Sequence, residues 1–195
     1  MTTARGDRPA GYSDIEELPE NVVGEIVDGE LNVSPRPAPR HAVAASNLGA
    51  TLNTRYRVRQ SGSGSTGWWI LDEPELHLGE DVVVPDLAGW RVERMPAIPD
   101  GAAFTLAPDW ICEVLSASTA RFDRVKKLPI FARAGVRHAW LLEPALRTLE
   151  ELALKEGGWY LALSAGGDDK VRAPPFDDVE LDLAELWLPD DPSRR

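Results

Sequence analysis

Two acidic residues stand inside stretches of the sequence that are otherwise apolar. Asp86 lies in VVVPDLAGW and Glu113 in DWICEVL, where strand alternation places Ile111, Glu113 and Leu115 on one face. An ionised carboxylate is rarely buried without a partner or a metal. On neighbouring strands, these two carboxylates could hold Mg²⁺, which prefers oxygen ligands. The alternatives are a structural salt bridge to an arginine, or two acids that reach solvent at strand ends.

A lysine at helical spacing from another acid is the third candidate. Asp123, Lys127 and Phe131 follow one another at intervals of four, so they share one face of the helix predicted there. An amine beside a metal can stabilise charge that develops on a phosphate, or orient the attacking water. The alternative is a solvated lysine paired with Asp123, and Lys126 next to it has the same chemistry. Pro129 removes a helical hydrogen bond and predicts a kink in this segment.

Few other side chains could take part in chemistry. His41 opens a predicted helix after a proline-rich connector, where it could orient a phosphate or cap the helix. Trp68 and Trp69 follow the Gly/Ser-rich stretch 61–65 and are candidates for stacking on bases. The three histidines are scattered and form no zinc motif, and the single cysteine, Cys112, excludes an intrachain disulfide. The two acids and the lysine therefore remain the strongest candidates.

The chain is acidic overall, with a net charge of -11 over 195 residues, but its charges are segregated. Residues 31–71 contain five arginines and no acid, and residues 121–137 contain six basic residues and one acid. Two basic segments on an acidic body could follow a phosphate backbone. The alternative is that both are solvated helix faces. The predicted nucleic-acid contacts are five basic residues of these segments: Arg36, Arg40, Arg55, Arg124 and Lys126.

Hydrophobic periodicity and turn residues predict the elements that must position these groups. In the first half they are a short acidic helix over 14–18, hairpin strands 25–27 and 30–33 around Asp28-Gly29, a helix over 41–59, a flexible loop at 61–65, a pair of strands at 68–71 and 76–78, and a strand over 82–90. In the second half they are a loop over 91–108, a strand over 109–115, a helix from Ser118 or Thr119 to about 134, a strand over 139–142, a hairpin of 147–154 and 159–164, and a short helix over 181–186.

These elements predict an α/β (α+β) protein, with a mixed central β-sheet flanked by helices. The length is that of one domain. We assign residues 1–11 to a flexible N-terminal tail, 12–188 to a single domain and 189–195 to a C-terminal tail. The N-terminus has no signal-peptide core, and no stretch approaches the roughly 20 apolar residues of a membrane span. The sequence therefore predicts a cytoplasmic protein without membrane contact.

Six pieces of the sequence, in one order, carry a resemblance to a known family. They are GEIVDGELNVSP, a helix opening at His41, VVVPDLAGW, EVLSAST, the D-x-x-x-K-L pattern of 123–128, and FARAGVRHAWLLEP. Over about residues 12–163 they resemble the Uma2 family (DUF820), whose fold is similar to that of the PD-(D/E)xK nucleases. The resemblance implies a restriction-endonuclease-like fold.

The resemblance also implies roles for individual residues. Asp86 and Glu113 would bind the metal, Mg²⁺ or Mn²⁺. In the wider nuclease class a lysine follows that glutamate by two residues, where this chain has Leu115. The resemblance implies that Lys127 supplies the amine instead. Glu25 corresponds to an acid of the family that would act as a further ligand or a supporting group.

Three functions from different classes fit these residues. The first is a Mg²⁺-dependent endonuclease that hydrolyses DNA phosphodiester bonds, with catalytic residues Asp86, Glu113 and Lys127 and supporting residues Glu25, His41 and Asp123. The second is a catalytically silent nuclease-like fold that binds nucleic acid or protein, which Leu115 and the isoelectric point of about 4.7 favour. The third is a structural protein in which exposed tryptophans form a homodimer interface.

Overall fold

The structure, a computed structural model, describes residues 8–61 and 64–189. Residues 1–7 and 190–195, most of the two predicted tails, lie outside the described residues, as do Gly62 and Ser63 of the predicted loop. Within the predicted N-terminal tail, the Ala10 N–H donates to the Gly29 carbonyl at 2.8 Å. The division of the chain into tail, domain and tail stays a prediction.

The described residues form fourteen strands and three helices. The strands are β1 Val22–Val27, β2 Glu30–Pro35, β3 Arg59–Ser61, β4 Gly64–Thr66, β5 Trp68–Asp72, β6 Leu76–Leu78, β7 Asp81–Val83, β8 Leu87–Arg91, β9 Trp110–Val114, β10 His138–Glu143, β11 Thr148–Lys155, β12 Gly158–Gly166, β13 Lys170–Val171 and β14 Leu181–Asp182. The helices are α1 Tyr12–Glu16, α2 Pro39–Tyr56, and α3, which joins Ala120–Phe122, a π-helical turn Asp123–Lys127 and Leu128–Arg133; a 3₁₀ turn follows at Leu183–Leu186.

The strands build two main sheets. The larger has six strands in the order β12-β11-β10-β9-β8-β5, in which β9 and β10 are parallel and the other pairs antiparallel. The smaller has four antiparallel strands in the order β2-β1-β7-β6. The parallel pair is joined through α3, as a parallel connection requires a crossover. The predicted α/β (α+β) class, with a mixed sheet flanked by helices, is confirmed.

The six-stranded sheet carries one apolar cluster on each face. Along β9, Trp110 and Cys112 belong to the first cluster, which α2 covers, whereas Ile111 belongs to the second, which α3 covers. Because side chains alternate along a strand, Glu113 points to the same face as Ile111. The sheet thus directs Glu113 towards α3.

Helix α2 ends earlier than its sequence pattern predicts. The helix stops at Tyr56, since Arg57 forms a β-bridge with Trp68. At Gly67 (φ +110°) the backbone passes so close that a Cβ would lie 2.7 Å from the carbonyl oxygens of Tyr56 and Arg57. The predicted helical end at 59 was wrong, and on either side of Gly62 and Ser63 the structure has the short pair β3–β4 where a loop was predicted.

The strand predicted over 82–90 is interrupted. It divides into β7 and β8, and the chain passes from the four-stranded to the six-stranded sheet at Val84–Asp86. Pro85 has no N–H to continue a ladder, which accounts for the break. The predicted pairing of 68–71 with 76–78 was also wrong, because β5 pairs with β8 and β6 with β7. Asp86 therefore lies at a crossing between sheets.

The other predicted helices and strands are confirmed within a few residues, except that the short helix predicted over 181–186 is the strand β14 followed by a 3₁₀ turn. Asp28 (φ +53°) and Gly29 (φ +76°) both take positive φ, as a two-residue hairpin turn of type I′ requires. The helix predicted after Thr119 is α3, and Gly135 (φ +80°) follows its end. No helix among the described residues has the length and apolar character to cross a membrane.

Candidate functional site

An open cavity of about 250 Å³ lies where the two sheets, the β2–α2 connector and α3 meet. It gathers most of the residues that the sequence singles out. The ionisable residues that line it are Glu25, Arg36, His41, Glu73, Asp86, Glu113, Asp123 and Lys127.

Asp86 and Glu113 occupy facing positions on neighbouring strands. The β8–β9 register pairs Leu87 with Cys112, so the next residue before β8, Asp86, stands opposite Glu113. The Val114 N–H also donates to Asp86 Oδ2 at 2.6 Å, which fixes the Asp86 carboxylate beside the end of β9. Glu113 is only 2% exposed. Both carboxylates therefore line the cavity from neighbouring strands. Asp86 lies directly before β8, its side chain is 18% exposed and its ion-pair partner is His41, whereas Glu113 is buried and pairs with Lys127.

Lys127 is buried among the carboxylates. Its Nζ lies 2.8 Å from Glu113 Oε1 and 3.0 Å from Glu25 Oε1, and donates to the Val84 carbonyl at 2.9 Å. Asp123, the partner of the alternative interpretation, is more distant at 4.0 Å. Lys127 is 3% exposed, so it is not a solvated surface lysine.

Lys126 has the opposite environment. Its side chain is 45% exposed, and Nζ pairs with Asp28 at 2.9 Å, on the outside of the β1–β2 turn. Of the two adjacent lysines, Lys127 lines the cavity and Lys126 does not.

A π-helical turn brings Lys127 to this position. The Leu128 N–H donates to the Asp123 carbonyl five residues back, which widens the turn by one residue over an α-helix. Pro129 follows at once and has no N–H for the Val125 carbonyl. The helix contains a π turn directly before Pro129. This turn carries both Asp123 and Lys127 into the cavity wall.

Glu25 joins the four-stranded sheet to the site. It lies on β1, is 5% exposed, and its Oε1 accepts from the Val84 N–H at 2.9 Å while pairing with Lys127. Val84 thus receives one hydrogen bond from Lys127 through its carbonyl and gives one to Glu25 through its N–H. This network fixes the chain at the crossing that precedes Asp86.

His41 lies against Asp86. Its Nε2 is 3.2 Å from Asp86 Oδ1, so the two Asp86 oxygens have separate partners in His41 and the Val114 N–H. Burial opposes the charged imidazolium, but the hydrogen bond to Asp86 and the charge of Asp86 outweigh it and raise the pKa of His41. His41 is in the first turn of α2, whose N-cap is Ala38, so it is not the cap.

Burial and neighbouring charges shift the pKa values of the ionisable residues that line the cavity. Burial raises the pKa of Glu113 well above its ordinary value, an effect that Lys127 only partly offsets. Burial likewise raises the pKa of Asp123 to about 6, against the pull of Lys127. For Lys127, burial is outweighed by Glu113, Glu25 and Asp123, so its pKa is raised and the amine stays charged. The cavity holds more negative than positive charge in its buried part.

The donor set of the cavity fits a hard divalent cation. Asp86 and Glu113 offer carboxylate oxygens, and Glu113 Oε1 is buried without a well-aligned hydrogen bond, although Lys127 is close. Within the described ranges, no group of three His, Cys, Asp or Glu side chains is arranged to hold a metal. A Mg²⁺ ion commonly takes one or two carboxylates and completes its shell with water and phosphate oxygens. Two protein ligands are enough for such a site.

The five basic residues predicted to contact nucleic acid are dispersed. Arg36 lines the cavity, and Arg40 is exposed in the first turn of α2, next to His41. The other three have partners elsewhere. Arg124 forms an ion pair with Glu150 at 2.7 Å and Lys126 one with Asp28, and the Arg55 Nη1 donates to the Glu180 carbonyl at 2.6 Å. Only the first basic segment therefore reaches the cavity rim with a predicted contact.

The tryptophans do not form exposed platforms. All seven lie within the described ranges and none is exposed; Trp68 is 5% exposed, and the Trp69 indole donates to the Met95 carbonyl at 2.9 Å. Stacking of bases on Trp68 and Trp69, and a dimer interface of exposed tryptophans, are therefore not supported by this structure.

Sequence reasoning missed other residues of the cavity wall, chiefly Glu73 and the turn that contains Ser116 and Thr119. In that turn Ser116 Oγ and Thr119 Oγ1 lie 3.1 Å apart. Both lie in the EVLSAST stretch, close to Glu113 and Asp123 in the sequence, but their residue types gave no signal for the cavity. No local pattern in the sequence connected Glu73 with Asp86.

The comparisons with known proteins bear on the family and the fold of the chain. No curated protein matches the sequence. A solved structure described as a putative nuclease belonging to DUF820, from Anabaena variabilis, has a TM-score of 0.72 and 21% identity, with 91% of this chain and 97% of that chain covered. At this identity the likeness shows the fold alone. The sequence matches the family Uma2, described as "Putative restriction endonuclease", over residues 11–184. Since this match spans most of the sequence, the chain belongs to the Uma2 family.

Proposed function

We propose that this protein is a divalent-metal-dependent endonuclease that hydrolyses DNA phosphodiester bonds, with Mg²⁺ or Mn²⁺ as its cofactor. The observation that carries the proposal is the floor of the cavity. There, Asp86 stands opposite Glu113 on adjacent strands, and the Lys127 ammonium lies 2.8 Å from Glu113. Two carboxylates and an amine at the base of an open cavity suit the binding of a cation and a phosphate together.

Each residue has a separate task in this proposal. Asp86 and Glu113 would hold the ion, which when bound polarises a phosphoryl oxygen and lowers the pKa of a water. Lys127 keeps the carboxylates of Glu113 and Glu25 together and contributes positive charge near the phosphate. His41 fixes the direction of the Asp86 carboxylate.

Arg36 and Arg40 are the proposed phosphate contacts nearest the cavity. Arg36 lines the cavity, and Arg40 is exposed beside His41. Contacts of Arg55, Arg124 and Lys126 with nucleic acid stay predictions, and each would require the residue to give up its present partner.

A second candidate function is a catalytically silent module that binds nucleic acid or protein. Leu115 favours it, since this residue is 2% exposed in the apolar cluster where the wider nuclease class has a lysine. The pairing of Arg124, Lys126 and Arg133 with acids also reduces the positive charge available to a phosphate. Such a module would bind without cleavage, and a binding mode that depends on phosphate contacts would weaken steeply with salt.

The test is cleavage of supercoiled plasmid and of a matched RNA by the purified protein with Mg²⁺, Mn²⁺ or EDTA. We expect cleavage of DNA with either metal and none with EDTA. Asp86→Asn, purified in the same way, should lose cleavage, because the ion loses one of its two carboxylate ligands and the negative charge with it. Cleavage that persists in Asp86→Asn would assign the activity to a contaminant or another site. Binding of DNA without cleavage under every metal condition would favour the silent module.

A further inference from the structure

A second charged pair lies at the rim of the same cavity. Arg36, in the connector between β2 and α2, faces Glu73, which follows β5, and Arg36 Nη1 lies 3.2 Å from Glu73 Oε2. Their side chains are 57% and 37% exposed, unlike the buried cluster around Lys127. The pair therefore links two walls of the cavity at its solvent-facing edge.

The backbone of Glu73 is unusual for its residue type. Glu73 has φ +44° and precedes Pro74, a position at which residues normally take an extended conformation. Its N–H donates to the Asp86 carbonyl at 3.0 Å, so it is attached to the crossing that carries a proposed metal ligand. Two of the places where the chain passes between the sheets, β5 to β6 and β7 to β8, are thus joined by a hydrogen bond, and the Glu73 carboxylate lies there at the cavity rim.

Arg36 is held in place by more than this carboxylate. Its Nη2 donates to the Glu20 carbonyl at 3.1 Å, while Nη1 takes Glu73. If Glu73 left, the Glu20 contact would keep the guanidinium at the rim with one edge free. A guanidinium binds carboxylate and phosphate oxygens with the same donors. An exposed ion pair is weak, so a phosphate can displace the carboxylate.

We propose that Glu73 occupies the phosphate-binding edge of Arg36 in the free protein, and that a phosphodiester of the nucleic-acid backbone displaces it on binding. This inference rests on the proposed function, since it requires a polynucleotide at the cavity. Glu73 thereby lowers the affinity for nucleic acid. A polyanion that cannot reach Arg36 cannot replace Glu73 there, so its affinity does not include this contact.

The test is the affinity for a short fluorescein-labelled DNA duplex, measured by anisotropy in Ca²⁺, a hard cation that also takes oxygen ligands. Glu73→Gln should tighten binding about threefold, within the roughly fivefold that an exposed ion pair is worth. Arg36→Gln should weaken binding, and adding Glu73→Gln to Arg36→Gln should change nothing further. Glu73→Gly, which accepts φ +44° without a side chain, should bind as tightly as Glu73→Gln and guards against a folding defect.

Glu156 provides a matched control. It is an exposed glutamate with φ +50° in the β11–β12 turn, and it lies outside the cavity lining. Glu156→Gln makes the same change in net charge, and it should move the affinity by much less than Glu73→Gln. Equal effects of the two variants would reduce the result to net charge and overturn the exchange. So would tighter binding from Glu73→Gln when Arg36 is absent.

The outcomes also separate this inference from the proposed function. If the wild type binds and cleaves DNA but Glu73→Gln binds no more tightly, the exchange is wrong and the endonuclease stands. If neither wild type nor any variant binds the duplex, both are wrong.

Discussion

Lys127 is the residue on which the charge balance of the cavity depends. It is 3% exposed, and its Nζ forms ion pairs with Glu113 Oε1 at 2.8 Å and Glu25 Oε1 at 3.0 Å. Removing one member of a buried ion pair costs about 3–5 kcal/mol, because the charge left behind has no partner. A Lys127 variant would therefore lose stability together with any activity. Neutralising a carboxylate is the sharper probe, since it reduces the excess of negative charge.

Asp123 gives a pH-dependent prediction at this scale. Its pKa is about 6 in the folded protein against an ordinary 3.8, so the folded state binds the proton more tightly than the unfolded state. The stability that this proton supplies is complete below pH 3.8 and is lost as the pH rises to about 6, by at most about 3 kcal/mol. Asp123→Asn should therefore be more stable than wild type at pH 7.5, and the difference should shrink at pH 5.

Urea unfolding at both pH values measures this difference. The control is Asp100→Asn, which removes an exposed carboxylate and should follow the wild-type pH dependence. If Asp123→Asn kept the wild-type slope of stability against pH, the buried Asp123 carboxylate would not be the cause.

At the scale of residues, the sequence predicted the acids better than the lysine. Glu113 was visible because it interrupts an apolar strand, and it is buried as that pattern requires. Lys127 could not be separated from Lys126 by helical spacing alone, because the π turn changes which side chains share a face. Glu73 could not be predicted from the sequence, since its place in the cavity depends on a contact with the distant Asp86 backbone.

The π turn of α3 is the element that positions two cavity residues at once. Asp123 opens the turn and Lys127 closes it, and the apolar residues Leu128, Ile130 and Phe131 anchor the rest of α3 on the sheet. π-Helical turns are rare and occur mostly as single turns inside α-helices, frequently at functional sites. Pro129 favours it here, because the α-helical bond to Val125 is unavailable.

Replacing this proline tests the dependence of the site on the element. Pro129→Ala supplies an N–H for the Val125 carbonyl, so the α-helical register can compete and rotate Lys127 away from Glu113. We expect DNA cleavage to fall at least about tenfold, the scale on which misplacement of a catalytic group acts. The free energy of unfolding should fall, because the buried Glu113 and Glu25 carboxylates lose their partner, and this outweighs the one hydrogen bond that is gained.

The control for this variant is Pro99→Ala, in an exposed part of the 91–109 connection, which should leave both quantities unchanged. Wild-type cleavage by Pro129→Ala would mean that the proline does not maintain the π turn.

At the scale of elements, turn chemistry and periodicity predicted most helices and strands but not how the strands are shared between sheets. The stretch 82–90 looks continuous because its apolar residues run on both sides of Pro85-Asp86. Its division into β7 and β8 depends on which sheet each half joins, and that is set by partners distant in the chain.

On the scale of the whole molecule, the C-terminal segment completes the core under α2. Phe176 is 3% exposed and its ring lies 4.8 Å from those of Tyr56 and Trp68, with Trp110 and Trp140 at 5.2 and 5.7 Å. Trp187 adds a hydrogen bond from its indole to the Gly167 carbonyl at 2.7 Å. The segment that follows β12 therefore stabilises the sheet that presents Asp86 and Glu113.

Phe176→Ala measures this contribution. Removal of a buried phenylalanine ring should lower the free energy of unfolding by about 3–5 kcal/mol. Tyr160→Ala removes an aromatic ring that is 55% exposed on β12, and it should cost no more than about 1 kcal/mol. Similar losses in urea unfolding for the two variants would contradict the assignment of the C-terminal segment to the core.

The central claim is that Asp86 and Glu113 are required for DNA cleavage. Single-turnover cleavage of a labelled duplex with Mg²⁺ tests it most directly. Glu113→Gln should cleave at least about 100-fold more slowly than wild type, the scale for loss of a group that acts on transition-state charge. The matched control is Glu151→Gln, since Glu151 is a fully buried glutamate of the same sheet that pairs with His138, outside the cavity lining. That variant should keep the wild-type rate. Cleavage by Glu113→Gln at the wild-type rate, with the protein folded, would contradict the claim.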